Sequence, residues 1–282
     1  MKGNLKTALR GKLTDKELDL VYKSYDVIGT IAVIRIPEQS VRHSEVIAEA
    51  LLQQKNIKSV WRQSSPIYGD YRLRKLQWVA GERKSVTVHR EHGCLFKVDV
   101  EKCYFSPRLA FERIRIAELV EDNDVVVNMF AGVGCYSIVI AKYSKASKIF
   151  SIDVNPDAVR FMRENILLNK NVGRVFPMEG NANKIAKETL RGKADRVLMP
   201  LPQKAYDYLD YALLAVKPQG GWIHYYDFQH SKVEENPVEK SEVKVAEKLT
   251  KQKVDFKLPF SRVVRQTGPN WYQIVVDIQV LG

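Results

Sequence analysis

The sequence lacks several features, and each absence excludes a class of protein. No stretch approaches the roughly 20 uncharged apolar residues that a membrane helix needs. The N-terminal segment, MKGNLKTALRGK, has no apolar run behind its positive charges, which argues against a secretory signal. The chain also contains no internal repeat and no low-complexity tract. We therefore expect a soluble, cytoplasmic protein that does not bind membranes.

Cysteine is scarce in this chain. Cys94, Cys103 and Cys135 lie too far apart to form a CxxC metal pair. An odd number of cysteines in an apparently intracellular chain gives no disulfide framework. We expect all three to be reduced and structurally ordinary, and we expect no bound metal.

Positive charge is the most pronounced feature of the composition. The 282 residues include 45 lysines and arginines against 33 aspartates and glutamates, a net charge of +12. Such a surplus favours polyanionic partners, because binding them releases condensed counterions. A basic surface also occurs for other reasons, so composition alone only suggests nucleic-acid binding.

The pattern of predicted secondary structure changes once along the chain. Residues 1–100 predict a small α+β domain, and residues 101–282 alternate helices with short β-rich runs, which is typical of a parallel sheet wrapped by helices. In the first part we predict strands at 26–37, 57–63, 76–81, 85–91 and 94–100, and a helix at 40–55. In the second part we predict helices at 110–120, 134–143 and 234–251, strands at 125–130, 148–154, 174–180, 196–201 and 222–228, and a hairpin at 263–280 that turns at 268–270.

A glycine-containing loop follows the first predicted parallel strand. The loop reads FAGVG, from Phe130 to Gly134, and glycine suits a turn where a ligand approaches the backbone closely. About 21 residues beyond Gly132, Asp153 ends the next strand. A carboxylate there can accept hydrogen bonds from both ribose hydroxyls of a bound nucleoside. The spacing predicts a nucleoside site.

The residues that follow extend this site. Asn155 can cap a helix whose first position is Pro156, and the buried stripe of that helix should be Ala158, Val159, Met162, Ile166 and Leu167. At the end of the third strand Asn181 could accept from the exocyclic amine of adenine through its carbonyl oxygen. A nicotinamide enzyme would use a similar crevice, but Ser137 only approximates the third small residue of the GxGxxG pattern. The C-terminal hairpin instead resembles the class I methyltransferase fold.

Together these segments resemble a family. From about residue 20 onward the chain resembles the archaeal and eukaryotic tRNA (guanine-37) N1-methyltransferases, whose relatives include wybutosine-pathway aminocarboxypropyl transferases. The resemblance implies an α/β, class I (Rossmann-like) sheet with a smaller N-terminal α+β domain, and S-adenosylmethionine as the cofactor. The matching segments are GDYRLRKLQWVAGE (69–82), HREHGCLFKVDVEKCYFSPRLAFERIRI (89–116), NMFAGVGCYSI (128–138), IDVNPDAV (152–159), ENILLNK (164–170) and GWIHYYDF (221–228).

The resemblance also implies roles for individual residues. The YFSPRL segment (104–109) resembles the family loop that closes over cofactor and target base, and Arg108 would face the guanine O6. A cation suits that position, because negative charge develops on O6 when N1 loses its proton. The implied catalytic residues are Arg108, Pro200 and Pro202. The implied cofactor-binding residues are Tyr104, Phe105, Ser106, Phe130, Ala131, Gly132, Gly134, Asp153, Val154, Asn155, Asn181, Ala182 and Pro200.

Three positions depart from the family pattern. Pro200 replaces the asparagine of an NLP motif, whereas Pro202 matches it, and proline offers no side-chain amide to the target base. This change resembles an archaeal subgroup that also methylates carbon 7 of the tricyclic wyosine precursor, where a less polar pocket would help. Asn128 and Asn181 stand where the family has aspartates. They keep hydrogen-bonding capacity without the charge, so they affect the expected cofactor affinity more than the identity.

Recognition of RNA is expected to fall to the small domain and the catalytic face. With only about 20 residues before the first predicted strand, we expect no further domain that reads the outer corner of tRNA. The implied partner is the anticodon stem-loop of tRNA, bound by a monomer. The candidate patch interleaves cations with aromatic side chains, several of which we expect in the core. Its members are Arg62, Arg72, Arg74, Lys75, Arg83, Lys84 and Arg90, with Trp61, Tyr68, Tyr71 and Trp78.

Two other functions and one role remain open. Aminocarboxypropyl transfer would use the same cofactor and sheet, but the SPRL segment argues against it, because those relatives resemble SxxN there. A non-catalytic RNA-binding protein with a vestigial nucleotide pocket is supported only by Asn128 and Asn181. The general base is not assigned: Glu112 and Asp227 are the carboxylates nearest to the motifs in sequence, and each could equally be a structural partner.

Overall fold

The computed structural model describes residues 5–170 and 172–282. The chain forms two compact units, Met1–Phe111 and Glu112–Gly282. This division lies beyond residue 100, where the sequence predicts the domain boundary. None of the helices within residues 5–170 and 172–282 combines the length and the hydrophobicity that a membrane span requires. Cys94, Cys103 and Cys135 are free and buried.

The first unit contains a four-stranded sheet and a separate hairpin. The sheet has the order β1-β2-β3-β4, in which β2 and β3 are parallel and the other neighbours antiparallel, and β5 pairs with β6. Apolar side chains of the helices and of this sheet form a common core. The elements are α1 (Leu5–Leu9), α2 (Asp15–Leu20), β1 (Tyr25–Ile28), β2 (Ile31–Arg35), α3 (Ser44–Leu52), β3 (Ser59–Gln63), β4 (Leu76–Gly81), β5 (Val86–Glu91) and β6 (Cys94–Asp99).

The predicted strand at 26–37 is wrong, because this segment forms two antiparallel strands. The chain reverses at Gly29, whose φ of +55° lies in the region that glycine adopts without strain. The amides at the turn are bound from β5: Gly29 donates to Nδ1 of His89 (3.1 Å) and Thr30 to Oγ1 of Thr87 (3.1 Å). A turn held by distant residues is not visible in a continuous β-branched run.

The second unit is a seven-stranded sheet between helices. Its order is β12-β13-β11-β10-β7-β8-β9; β11, β10, β7, β8 and β9 are parallel, and β13 and β12 are antiparallel at one side. The hairpin turns after Gly268, as predicted. The elements are α4 (Ala110–Leu119, which begins in the first unit), β7 (Val125–Asn128), α5 (Cys135–Tyr143), β8 (Lys148–Asp153), α6 (Pro156–Leu168), β9 (Val175–Glu179), α7 (Ala182–Glu188), β10 (Arg196–Met199), α8 (Pro202–Ala215), β11 (Gly220–His230), α9 (Pro237–Lys251), β12 (Phe256–Gly268) and β13 (Trp271–Leu281).

Helix α6 shows how local sequence determines these elements. Asn155 caps it by accepting from the Asp157 amide (3.0 Å), and Pro156 occupies the first position. Most of the predicted stripe is buried against the sheet, but Leu167 is 86% exposed, so its prediction was wrong. At 100° per residue, Ile166 follows Met162 by one turn and stays on the buried face, whereas Leu167 turns away from it.

Candidate functional site

The candidate site lies where four parallel strands of the second unit end. Because β7, β8, β9 and β10 run in the same direction, their carboxyl ends meet at one edge of the sheet, which we call the cofactor edge (residues 128–134, 153–156, 179–182 and 199–202). Backbone hydrogen bonds tie the loops there to neighbouring strands: the Ala131 amide donates to the Ile152 carbonyl (2.8 Å), and Gly180 to Asp153 (3.0 Å). These bonds tie the loops of this edge to one another.

The two glycines of the FAGVG loop adopt conformations that other residues avoid. Gly132 has φ +56° and Gly134 has φ +91°. A Cβ atom on Gly134 would lie 2.8 Å from Cγ of Met162, so this glycine is also required for the close approach of α6. The tight turn agrees with the sequence prediction, whereas the close packing of α6 behind it is a further requirement that the sequence did not predict.

Asp153 joins the glycine turn to the next helix. Its Oδ2 accepts from the Gly132 amide (2.6 Å) and its Oδ1 from the Asn155 amide (2.9 Å). Burial raises the pKa of this carboxyl, although these backbone donors oppose the shift. Each carboxylate oxygen has a second lone pair, so the group can still accept from two ribose hydroxyls. The residue fits the predicted nucleoside site and also anchors the loop, a role that the sequence did not predict.

Asn128 forms its hydrogen bonds inside the protein. Its side chain is fully buried; Oδ1 accepts from the Phe130 amide (3.3 Å) and Nδ2 donates to Oγ of Ser137 (3.1 Å). Ser151 donates to the same Ser137 oxygen (2.7 Å). An aspartate at position 128 could only accept from Ser137, so the asparagine reverses this hydrogen bond and keeps the network neutral.

Asn181 caps helix α7. Its Oδ1 accepts from the Asn183 amide (3.1 Å) and from the hydroxyl of Tyr208 (2.9 Å). The carbonyl oxygen that we expected to address adenine is therefore engaged twice within the protein, and Nδ2 is the remaining donor of this side chain. Tyr208 also packs edge to face on Phe130, with ring centroids 5.2 Å apart. Val154, 42% exposed, is the apolar surface beside Asp153 that a nucleoside could cover.

The two prolines of the MPLP segment follow β10 directly. Pro200 is half-buried, and Pro202 is buried at the first position of α8, where a missing amide hydrogen costs nothing. The N-cap residue, Leu201, offers no side-chain acceptor. This corner is consequently apolar, as the departure from the NLP pattern suggests.

The YFSPRL segment belongs to the first unit. Arg108 lies in a short 3-10 turn and its Nε donates to Oδ1 of Asp26 on β1 (2.6 Å). The Phe105 ring packs on His89, with centroids 5.1 Å apart, and Ser106 is buried. Asp26 and Arg108 line an open cleft of about 500 Å³. The predicted contacts of this segment with cofactor and base stay predictions.

Arg72 is a candidate that the sequence placed only in the RNA-binding patch. It has φ +55°, which is uncommon for a residue with a side chain, and its guanidinium lies 4.4 Å from the centroid of the Tyr104 ring. Both residues line a small cavity of about 40 Å³ together with Phe105 and Asp26. A strained backbone beside a cavity is a mark of functional sites. The segment GDYRLRKL carried this residue, but nothing in it indicates the left-handed conformation.

Both carboxylates considered as a general base are buried and bound by several side chains. Glu112 is 1% exposed and accepts from Arg115 (2.7 and 3.0 Å), from the Tyr226 hydroxyl (2.8 Å) and from Arg262. Asp227 is also buried, and its acceptors bind Lys244, Gln229, Ser241 and the Phe228 amide. Both groups therefore have structural partners, and the general base stays unassigned.

Glu112 belongs to a longer row of buried and half-buried ionisable side chains, which we call the charge chain (Glu112, Arg115, Asp277, His224, Arg196 and Asp124). Arg115 donates to Asp277 (2.6 Å), His224 Nδ1 lies 2.6 Å from the same carboxylate, and His224 Nε2 lies 2.9 Å from Arg196. Arg196 continues to Asp124 (3.2 Å). Because arginine can only donate, Nε2 must accept and His224 is neutral. Burial lowers the pKa of His224 accordingly.

The aromatic residues of the predicted RNA-binding patch differ in exposure. Trp61 is 5% exposed and donates to Ser59 (2.9 Å), so it belongs to the core. Tyr68 and Tyr71 are 50% and 44% exposed. Arg83 lies 5.9 Å from the centroid of Trp78.

Among the described residues, no group of three or more histidine, cysteine, aspartate or glutamate side chains could hold a metal ion.

Two family descriptions match this chain. The TRM5/TYW2 methyltransferase domain matches residues 87–255, and the TYW2 N-terminal domain matches residues 5–84. The tRNA (guanine(37)-N(1))-methyltransferase Trm5b of Pyrococcus abyssi is 41% identical over 258 residues, which cover 91% of this chain and 74% of the relative. The tRNA 4-demethylwyosine(37)-methyltransferase Taw21 of Saccharolobus solfataricus is 35% identical, with 92% of this chain and 94% of that protein covered.

Solved structures agree with these sequence matches. A complex of aTrm5 with tRNALeu superposes with a TM-score of 0.84 at 34% identity and covers 99% of this chain and 79% of that one. Methanocaldococcus jannaschii TYW2 in complex with AdoMet superposes with a TM-score of 0.67 at 28% identity, over 92% and 99% of the two chains. The predicted fold class and the predicted cofactor, S-adenosylmethionine, are confirmed by these matches. The chain belongs to the TRM5/TYW2 methyltransferase family.

Proposed function

We propose that this protein is an S-adenosylmethionine-dependent tRNA methyltransferase that acts on N1 of guanosine 37, beside the anticodon. One observation carries the proposal: the carboxylate of Asp153 holds the glycine turn at the cofactor edge of a chain that belongs to the TRM5/TYW2 family. Relatives that match nine tenths of the chain are methyltransferases of nucleotide 37. Residues 1–100 would be the smaller RNA-binding domain and 101–282 the methyltransferase domain.

The cofactor edge would hold the nucleoside of S-adenosylmethionine. Asp153 would accept from the ribose hydroxyls, Val154 and Phe130 would cover the adenine, and Asn181 would donate through Nδ2. Ala131, Gly132 and Gly134 bring the backbone close to the ligand, and Asn155 and Ala182 begin the flanking helices. When bound, this cofactor supplies an electrophilic sulfonium methyl group.

Two arginines of the first unit could stabilise the target base. As N1 is methylated, negative charge develops on O6, and a guanidinium placed there lowers the barrier. Arg108 is bound to Asp26 through Nε, so its two terminal nitrogens can address O6. Arg72, stacked on Tyr104, is the second candidate. The enzyme would act mainly by placing the base and stabilising charge rather than by covalent catalysis.

A second activity is methylation of carbon 7 of the tricyclic wyosine intermediate at the same nucleotide. Pro200 and Pro202 make the corner after β10 apolar and remove the amide of the NLP pattern. The relative from Saccharolobus solfataricus is a 4-demethylwyosine methyltransferase and matches this chain along nearly its whole length. A corner lined by proline would be larger and less polar than one lined by asparagine, and would therefore accept a tricyclic base more easily.

The partner would be the anticodon stem-loop of a tRNA, bound by a monomer in the cytoplasm. The net charge of +12 and the relative solved with tRNA support an RNA partner. Aminocarboxypropyl transfer is the alternative within the family, because two aminocarboxypropyltransferases are 31% and 29% identical to this chain. A non-catalytic RNA-binding protein is the alternative outside it.

Mass spectrometry of tRNA after incubation with protein and cofactor tests these proposals. An unmodified transcript with guanosine 37 should gain 14 Da, located at that nucleotide as 1-methylguanosine. A transcript with the tricyclic base should also gain a methyl group if the second activity exists. A gain of 101 Da on the tricyclic base would instead indicate aminocarboxypropyl transfer. No change in either RNA would overturn the enzyme proposal, with cofactor binding by calorimetry as the control for correct folding.

A further inference from the structure

A hairpin of the first unit, Ser64–Lys75, presents two tyrosines on a rigid backbone, and we call it the tyrosine hairpin. At its base the Ser64 amide donates to the Lys75 carbonyl (2.9 Å), and the Lys75 amide donates to Oγ of Ser65 (2.8 Å). At its tip Tyr68 and Leu73 exchange two backbone hydrogen bonds (2.9 and 3.2 Å). Backbone hydrogen bonds therefore close the hairpin at its base and at its tip.

The side chains at the tip are exposed in a way that packing does not explain. Tyr68 is 50% and Tyr71 44% exposed, whereas Trp61 on the neighbouring strand is in the core. Tyrosine has few rotatable bonds, so presenting it in solvent on a rigid turn costs little entropy when a partner binds. Exposed aromatic rings in such a place are typical of a binding surface.

The charge of the hairpin indicates the chemistry of the partner. Arg72, Arg74 and Lys75 outnumber the one carboxylate of the segment, Asp70. Cations beside aromatic rings suit single-stranded nucleic acid, because the phosphates meet the cations while the bases stack on the rings. A protein partner would instead favour a more apolar and less charged centre.

The tyrosine hairpin also continues into the target-base region of the proposed site. Arg72 lies in the turn of the hairpin with φ +55°, and its guanidinium is 4.4 Å from the centroid of the Tyr104 ring. The hairpin that carries Tyr68 and Tyr71 is therefore connected through Arg72 to the residue proposed to hold the target base.

We propose that Tyr68 and Tyr71 form a stacking platform for unpaired nucleotides of the RNA loop that contains the target base. The inference rests on the proposed function in naming the RNA, but the platform itself is a binding surface that does not require methyl transfer. It would hold the loop open after the target base leaves the stack, which lowers the cost of extruding that base. Specific base contacts are not needed, because every base has a face that can stack.

Equilibrium binding of a fluorescent anticodon stem-loop, followed by anisotropy, tests the platform. Tyr68→Ala and Tyr71→Ala should each weaken binding roughly tenfold. Tyr68→Phe and Tyr71→Phe should bind like the unchanged protein, because they keep the ring. Tyr143→Ala is the matched control, since Tyr143 is also 50% exposed but lies on α5 of the second unit.

Salt dependence distinguishes stacking from charge. The alanine variants of Tyr68 and Tyr71 should keep the slope of log K against log salt, whereas Lys75→Ala should reduce the slope by about 1. A duplex RNA without unpaired nucleotides should bind all tyrosine variants equally. Alanine variants that bind the stem-loop as tightly as the unchanged protein would overturn the platform, and so would an equal loss on the duplex.

The outcomes for the platform and for the reaction are separable. If the unchanged protein methylates tRNA but the tyrosine variants bind normally, the platform is wrong and the proposed function stands. If binding depends on the tyrosines but no methyl group is transferred, the surface stands and the reaction does not. If the unchanged protein binds no RNA, both fail, and an affinity of the tyrosines for a protein partner becomes the better explanation of their exposure.

Discussion

The second unit contains two polar regions that differ in the groups that bind their charged side chains. At the cofactor edge, the buried polar side chains are mostly neutral, and the carboxylate of Asp153 is bound only by backbone amides. In the charge chain, side chains bind side chains, and arginine, histidine and carboxylate alternate from Asp124 to Glu112. Both regions satisfy their polar groups, as buried groups must.

The difference indicates what each region is for. Backbone donors leave the Asp153 oxygens with lone pairs for a ligand, so the cofactor edge is shaped but not saturated. In the charge chain the carboxylates are bound by cationic side chains instead: Glu112 accepts from two arginines and a tyrosine. Removing one partner from such a network leaves an uncompensated charge inside the protein. We therefore expect changes in the chain to affect stability and changes at the edge to affect function.

The largest effect should come from breaking the charge chain. Asp277→Asn removes the charge between Arg115 and His224, and the free energy of unfolding should fall by about 3–5 kcal/mol. Urea denaturation followed by circular dichroism measures this change. Asp210→Asn, on a side chain that is 50% exposed, is the control and should stay within about 0.5 kcal/mol. Equal losses in both variants would contradict the comparison.

Removal of the arginine assigned to the target base should affect the reaction instead. Arg108→Ala should lower kcat roughly 10²- to 10³-fold, because the developing charge on O6 loses its cation. Single-turnover methyl transfer to a tRNA transcript measures the rate. Arg163→Ala, an exposed residue of α6, should leave kcat unchanged. An Arg108→Ala enzyme with full activity would transfer this role to Arg72, and Arg72→Ala should then show the loss.

At the cofactor edge, Asp153→Ala should weaken cofactor binding roughly 100-fold, because two charge-assisted hydrogen bonds are lost. Isothermal titration with S-adenosylmethionine measures the dissociation constant. Asp157→Ala is the matched control, since Asp157 lies in the same segment but pairs with the exposed Arg160. The loss of stability in Asp153→Ala should be smaller than in Asp277→Asn. The reverse order would show that the edge, too, is chiefly structural.

The charge chain should also respond to pH. Burial lowers the pKa of His224 below its unfolded value of 6.5, so the unfolded chain binds a proton that the folded protein does not. The free energy of unfolding should therefore fall as the pH decreases below about 6.5, by up to 1.4 kcal/mol per pH unit for this group. His224→Asn should be less stable at pH 7 and show a shallower decrease. Identical pH slopes would contradict a neutral His224.

The Asn181 cap should show the smallest effect. Asn181→Ala removes the acceptor used by the Asn183 amide and the Tyr208 hydroxyl, and should cost about 1 kcal/mol of stability. Asn181→Asp keeps the acceptors and adds charge near a helix N-terminus, where it is favourable. Chemical denaturation of both variants measures the difference. A loss of cofactor affinity larger than the loss of stability would show that Nδ2 contacts the ligand.

Local sequence predicted the parts of the molecule that depend on local chemistry. The buried strands of the second unit appear as β-branched runs, and the Asn155–Pro156 start of α6 follows from capping rules. The FAGVG turn and the spacing to Asp153 predicted a nucleoside site at the edge where the structure brings these residues together. The helix start and the turn depend on a few neighbouring residues. The spacing to Asp153 follows from the regular strand–helix–strand order of a parallel sheet.

Contacts between residues far apart in the chain could not be predicted from local sequence patterns. Arg115 and Asp277 are 162 residues apart, and nothing in either segment indicates their pairing. The reversal at Gly29 depends on hydrogen-bond acceptors from β5, so a continuous strand was the natural but wrong prediction. The left-handed Arg72 is the third case, because the fold imposes this conformation against the preference of an arginine.

The position of β13 has a consequence for biosynthesis. This strand is the last in chain order, yet it lies between β11 and β12 and pairs with both. An inner strand cannot be left out without splitting the sheet, so the second unit cannot close until residue 281 has emerged from the ribosome. The parallel strands made earlier would wait with an unpaired edge at β11, and we expect the nascent chain to need protection from aggregation during that interval.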